Sequence, residues 1–134
     1  MNNVRDRFDL RLDFILSPFV AFSPSQLADV LADVGQFIER RRPKQEIRDK
    51  LDYRADIRGM EVVLSEVRPR WDEPETLMIS AFAKIKWVQS RKSWRLYWMR
   101  ASGKWESYTA DPTFRSLKAA LAVVSKDEYG CFFG

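Results

Sequence analysis

The sequence predicts an α+β fold, in which a five-stranded antiparallel meander sheet packs against a long helix in the N-terminal half and a C-terminal helix. The first observation is a capped amphipathic segment that begins after Phe22. The second is a series of strand patterns joined by connections too short for a parallel crossover. The third is an amphipathic segment near the C-terminus. With 134 residues the chain can bury one core, so residues 1–134 are treated as a single domain.

Residues 1–21 contain an alternating pattern. Phe8, Leu10, Leu12 and Phe14 are separated mainly by charged residues. Such alternation favours a strand, which would extend the sheet, and a short helix is the alternative.

The long helix has a complete start signal. Ser23 is the expected N-cap, Pro24 occupies the first helical position, and Gln26 closes a capping box. The helix should run to about Arg42, because Pro43 disfavours its continuation. Its apolar face consists of Leu27, Val30, Leu31, Val34, Phe37 and Ile38.

Three consecutive arginines, Arg40 to Arg42, end this helix. Cations at a helix C-terminus complement the helix dipole, so we interpret the run as structural, with anion binding as the alternative. A second short helix is expected over residues 44–50.

The predicted sheet follows. Its five strands are Tyr53–Ile57, Glu61–Val67, Leu77–Val88, Trp94–Arg100 and Lys104–Tyr108. Gly59 and Gly103 lie in tight turns, where glycine supplies a positive φ angle.

The last predicted helix starts at Asp111 as N-cap with Pro112 in the first position. Phe114, Leu117, Leu121 and Val124 recur at helical spacing. The tail that follows is apolar, and we expect Phe132 and Phe133 to pack against the sheet.

Composition excludes several kinds of chemistry. The chain has no His and one Cys, which excludes Ser-His and Cys-His catalysis, His-ligated zinc and thiolate clusters. No glycine-rich phosphate loop is present, and we expect no cofactor. The net charge of +4 permits an acidic partner such as nucleic acid. Without a signal peptide or an apolar run long enough for a bilayer, the chain is expected to be cytoplasmic and without membrane contact.

Four dispersed segments resemble one family. They are Phe37–Pro43, Glu66–Trp71, Trp94–Trp98 with Trp105 and Tyr108, and Tyr129–Gly134. Together they resemble DUF3024, a bacterial domain of unknown function. The resemblance covers about residues 25–134, and we place the DUF3024-like core at residues 22–134. The resemblance implies a small single-domain bacterial protein and no known activity, cofactor or catalytic residue.

The hairpin between residues 94 and 108 contains the first candidate surface. Trp94, Leu96 and Trp98 share one strand face and are expected in the core, as is Trp87 on the preceding strand. The opposite face carries Arg95, Tyr97 and Met99, and Lys84 and Lys86 share a face of the preceding strand. A basic, aromatic sheet surface suits single-stranded nucleic acid, a protein partner, or plain solvent exposure.

A second candidate lies where the second strand ends. Glu66 and Arg68 are two residues apart, so they point to the same face, and Pro69 ends the strand before Trp71. We interpret the pair as a strand-end clamp, with a ligand-binding site as the alternative. Asp56 with Glu66 and Arg68 also loosely resembles the carboxylate arrangement of metal-dependent nucleases, although an arginine cannot act as a base.

The leading hypothesis is therefore a non-catalytic interaction module that binds a protein partner or associates with itself through the sheet surface. The alternative is nucleic-acid binding through Lys84, Lys86, Arg95 and Tyr97. A metal-dependent nuclease using Asp56 and Glu66 is the remote alternative.

Overall fold

The computed structural model describes residues 9–13 and 21–133, and the described residues form a seven-stranded sheet with two helices. The helices are α1 (Pro24–Arg41) and α2 (Leu117–Lys126). The strands are β1 (Asp9–Asp13), β2 (Asp52–Arg58), β3 (Glu61–Pro69), β4 (Leu77–Val88), β5 (Ser93–Met99), β6 (Trp105–Ser107) and β7 (Thr113–Phe114). The α+β fold is confirmed.

Strands β2 to β6 follow one another as an antiparallel meander, as predicted. The N-terminal strand β1 is also present, but it pairs in parallel with β2. Parallel pairing is possible because α1 lies between the two strands in the chain and supplies the crossover. The outer residues of the predicted alternation, Phe8 and Phe14, lie outside the described residues.

Helix α1 begins as the sequence predicts. The Ser23 hydroxyl accepts a hydrogen bond from the Gln26 backbone N–H at 3.2 Å. Its buried side chains, Val30, Val34, Phe37 and Ile38, face the sheet and α2. The short helix expected at 44–50 is a single 3₁₀ turn, Gln45–Ile47.

The predicted start of the second helix was wrong. Ser116, not Asp111, is the N-cap of α2, and its hydroxyl accepts from the Ala119 backbone N–H at 3.1 Å. Thr113 and Phe114 instead form β7, which pairs with β5 opposite Arg95 and Trp94. Burial of Phe114 explains the difference, because a strand position lets this ring enter the core beside Trp94.

The core lies between the two helices and one face of the sheet, the helix face. The central strands bury side chains at alternate positions on this face, namely Tyr53, Ala55, Ile57, Val62, Leu64, Ala83, Ile85, Trp94 and Leu96. Trp87 and Trp98 pack at its margin, so the expected core role of the hairpin tryptophans is confirmed. Among the described residues, neither helix has the length and apolar character to cross a bilayer.

The arginines that end α1 make structural contacts. Arg42 is buried, and its Nε and Nη2 donate to the two carboxylate oxygens of Asp52 at 3.0 and 2.8 Å. The Arg41 guanidinium covers the Phe133 ring at 3.5 Å from the centroid. Arg40 is exposed. The first two contacts support the structural interpretation of the run.

Candidate functional site

The second face of the sheet, away from the helices, brings four predicted residues together. In the register, Lys86 lies opposite Arg95 and Lys84 lies opposite Tyr97. Directly opposed residues of antiparallel strands point to the same side, so all four occupy one face. Lys86 and Arg95 are exposed, whereas Lys84 and Tyr97 are half-buried.

Trp105 completes this group. The Lys84 ammonium lies 4.7 Å from the centroid of the Tyr97 ring and 5.2 Å from that of the Trp105 ring. Both distances are within the range of a cation–π contact. We call Lys84, Lys86, Arg95, Tyr97 and Trp105 the basic-aromatic surface. Sequence reasoning missed Trp105, although its position opposite Met99 across the Gly103 turn places it on the face of Tyr97.

Glu66 and Arg68 lie on the helix face of β3. The Arg68 Nε is 3.3 Å from Glu66 Oε2, and 57% of the Arg68 side chain is exposed. An ion pair this accessible contributes little to stability. The pair is therefore an exposed contact at the strand end, and the clamp interpretation stays a prediction.

The carboxylates of the nuclease hypothesis point in opposite directions. Glu66 lies opposite Tyr53 on the helix face, whereas Asp56 lies opposite Val63 on the second face. Asp56 is buried and pairs with Arg54 at 3.0 Å. In the described part of the chain, no three potential metal ligands come together. Asp56 and Glu66 cannot bind the same ion in this geometry, which removes the basis of the nuclease hypothesis.

Among the described residues, four exposed apolar side chains lie on one hairpin. Its strands are residues 66–69 of β3 and 77–80 of β4, and its loop is 70–76; we call these segments together the arm. Leu77, Met78 and Ile79 are 57%, 49% and 49% exposed, and Trp71 in the loop is 91% exposed. Of the four, only Trp71 was a predicted site residue.

The loop of the arm is held by its own contacts. The Arg70 backbone N–H donates to the Thr76 carbonyl at 2.8 Å, which continues the β3–β4 ladder. The Arg70 guanidinium also bonds both carboxylate oxygens of Asp72, at 2.9 and 2.6 Å. These contacts hold the loop closed while Trp71 projects into solvent.

One edge of the arm has no neighbouring strand in the described structure. Strand β5 pairs with β4 only from Ala83 onward, after a bulge that leaves Phe82 without a partner on β3. From Leu77 to Ala83 the sequence contains no charged residue and no proline. Natural sheets usually protect free edges with charges, proline or short strands. This edge has none of those protections, unlike the Arg68–Pro69 end of β3 beside it.

An aromatic cluster anchors the base of the arm. Phe82 lies 4.9 Å from Phe133 and 6.2 Å from Tyr53 between ring centroids. Phe133 belongs to the C-terminal tail, which α2 directs back to the sheet through Asp127. The Asp127 carboxylate accepts from the backbone N–H groups of Phe132 and Phe133 at 3.0 and 2.9 Å. The expectation that both phenylalanines pack on the sheet is confirmed.

Two ionisable groups beside this tail have shifted pKa values. Burial raises the pKa of Tyr108, whose ring stacks on Phe132 at 5.5 Å, and nearby Cys131 adds to the effect. Burial also raises the pKa of the Cys131 thiol, with a further contribution from Asp127. The folded state is therefore most stable when both the Tyr108 hydroxyl and the Cys131 thiol are protonated.

Comparison with known proteins is informative at the level of the family alone. The model described as "Domain of unknown function (DUF3024)" matches residues 22–134, a span that includes both helices, the meander and the tail. Neither the curated proteins nor the solved structures gave a match. Since the match covers far more than half of the sequence and contains all four segments noted above, the chain belongs to the DUF3024 family.

Proposed function

We propose that the protein is a non-catalytic interaction module, and that an extended apolar protein strand adds to the free edge of β4. The observation that carries this proposal is the segment from Leu77 to Phe82, which is uncharged and lacks a second neighbouring strand in the described structure. Addition of a strand to such an edge is an established mode of protein recognition, in which backbone hydrogen bonds give affinity.

The side chains of the arm favour the same conclusion. Leu77, Met78 and Ile79 are all about half exposed. Covering the rest of each contributes about 1 kcal/mol, from about 1.5–3 kcal/mol for complete burial of a large apolar side chain. Trp71 adds an aromatic group of the kind enriched at binding hot spots.

Site-specific photo-crosslinking tests the proposal. Ile79 is replaced by a photoreactive phenylalanine analogue in the cells that make the protein, and Ile47 serves as the matched control at 45% exposure. We expect a protein adduct from position 79 that is absent from position 47. Equal or absent adducts at both positions would count against the arm as an interface.

Single-stranded nucleic acid is a second candidate, supported by one observation. Lys84, Lys86 and Arg95 lie on the same face as the Tyr97 and Trp105 rings. Phosphates would contact the cations, and bases would stack on the aromatic rings.

A fluorescence anisotropy titration with a labelled single-stranded oligonucleotide tests this candidate. Binding should weaken steeply with salt, because phosphate contacts release counterions. Lys86→Ala with Arg95→Ala should weaken it further, whereas Lys44→Ala with Lys50→Ala, exposed lysines outside this surface, should not. Binding that is undetectable at low ionic strength would exclude nucleic acid as the partner.

A further inference from the structure

We infer that the strand added to β4 is the same segment of a second copy of this chain, paired antiparallel about a two-fold axis at Ile79. The inference rests on the proposed function, because it identifies the occupant of the same edge. It commits to a register, and the register can be tested at single residues.

The direction of the backbone groups selects the register. The Arg70 N–H donates to the Thr76 carbonyl, so Thr76 turns its polar backbone groups towards β3. The direction of the backbone N–H and C=O groups alternates from one residue to the next along a strand. The N–H and C=O groups of Leu77, Ile79 and Ala81 therefore point away from β3, towards the free edge. They are available to a new strand.

A two-fold axis at Ile79 uses all of these groups. Ile79 then lies opposite Ile79 of the second copy, and Leu77 lies opposite Ala81 at each end. Each of these is a hydrogen-bonded pair of the antiparallel ladder. A two-fold axis perpendicular to the sheet also places the second face of each copy on the same side. The reason is that each odd-numbered residue of one arm lies opposite an odd-numbered residue of the other. The edges are thus self-complementary.

Charge complementarity favours a second copy as the occupant. Counting along this register brings Glu75 of one copy to the level of Ala83 of the other, a position already paired with Trp98 of β5. The ladder between the copies therefore ends before Ala83, and the loop of one arm lies against the end of β5 of the other copy. Strand β5 leads there into the turn from Arg100 to Lys104, which is closed by a 2.9 Å hydrogen bond between those residues. The acidic loop of each arm therefore meets a basic turn of the other copy. No like charges meet along the apolar strands between them.

Cysteine pairing tests the register. The background is the full chain with Cys131→Ser, which removes its single cysteine. Opposed residues of a hydrogen-bonded pair lie about 5.5 Å apart at Cα, within disulfide range. We expect Ile79→Cys to form a covalent dimer in a glutathione redox buffer about tenfold faster than Met78→Cys. Met78 is the matched control, since both side chains are 49% exposed.

Trp71→Cys is a second control. It lies on the same arm and is more exposed, but it falls far from the axis. Equal rates at positions 71, 78 and 79 would indicate random collision and overturn the inference. Faster pairing at Met78→Cys than at Ile79→Cys would overturn the register.

A charge exchange tests the contact between the acidic loop of one copy and the basic turn of the other. Glu75→Lys in one preparation and Lys104→Glu in another should each raise the dimer dissociation constant about tenfold, because every dimer contains the contact twice. Mixing the two variants should restore association, because the Glu75→Lys loop then meets the Lys104→Glu turn, and the unchanged loop meets the unchanged turn. A mixture that associates no better than either variant alone would overturn this contact.

The outcomes separate this inference from the proposed function. If the photo-crosslink at Ile79 captures a different protein while the purified chain forms no Ile79→Cys dimer, the second copy is the wrong occupant and the interaction module stands. If position 79 captures no protein, the proposed function fails as well.

Discussion

The guanidinium carbon of Arg41 lies 3.5 Å from the centroid of the Phe133 ring, and this contact joins the last turn of α1 to the C-terminal tail. The same ring packs on Phe82, at the bulge where the arm leaves the sheet. The tail therefore links the helical layer to the base of the arm. A rigid arm requires this anchor at its base.

Removing the anchor should destabilise the fold. Phe133→Ala takes a half-buried ring from between Arg41, Tyr53 and Phe82. We expect the free energy of unfolding to fall by about 2 kcal/mol, less than the roughly 3–5 kcal/mol typical of a fully buried phenylalanine. Urea unfolding followed by circular dichroism measures the change. Tyr129→Ala, in the same tail and 65% exposed, is the control and should cost much less.

The buried ion pair at the end of α1 gives a second prediction. The Arg42 side chain is 1% exposed and its partner Asp52 is 22% exposed. Asp52→Ala leaves a buried guanidinium without its bidentate acceptor, so we expect a loss of about 2 kcal/mol by urea unfolding. Glu66→Ala breaks the exposed Glu66–Arg68 pair and should cost less than about 1 kcal/mol. Equal losses in the two variants would contradict this account of burial.

Alkaline pH should weaken the fold through the tail. Folding raises the pKa of Cys131 and Tyr108 above their ordinary values of 9.0 and 10.0. Above these values the unfolded chain releases both protons while the folded chain still holds them. Stability is therefore complete below about pH 9 and falls as pH rises further.

Urea unfolding between pH 7 and pH 10.5 measures this slope. Tyr108→Phe with Cys131→Ser removes both ionisable groups and should flatten the alkaline fall. If the free energy of unfolding of the double variant falls just as steeply with pH, other residues cause the loss.

The start of α2 gives a fourth prediction. The Ser116 hydroxyl caps the helix by accepting from the Ala119 N–H. Ser116→Ala should reduce stability by about 1 kcal/mol, the usual cost of losing an N-cap. Asp111→Ala should have almost no effect, because Asp111 is exposed and lies outside the helix. The reverse order in thermal or urea unfolding would restore Asp111 as the cap.

Much of the fold follows from local signals. The Ser23 cap, Pro24 and the apolar spacing of α1 act within one segment, and the structure confirms them. The alternation around Leu96 likewise assigns the two faces of β5. The start of α2 was wrong because the Asp111-Pro112 signal is local, whereas the burial of Phe114 against β5 depends on residues far away in sequence.

The candidate site was less accessible to sequence reasoning, for the same reason. Leu77–Val88 was predicted as one strand, and its length is confirmed. Nothing within that segment shows that β5 pairs only with its second half. The free edge exists because β4 has 12 residues and β5 has 7, and their pairing stops at Ala83, which appears only when the two strands are placed in register.

The molecular mass of the purified chain in solution is the most direct test of the central claim, that the free edge of β4 is an interface between copies. We expect light scattering to give twice 15.8 kDa at micromolar concentration. Ile79→Lys, which places a charge on the edge, should give 15.8 kDa, while Ile47→Lys should remain a dimer. A wild-type mass of 15.8 kDa that does not increase with concentration would contradict the account.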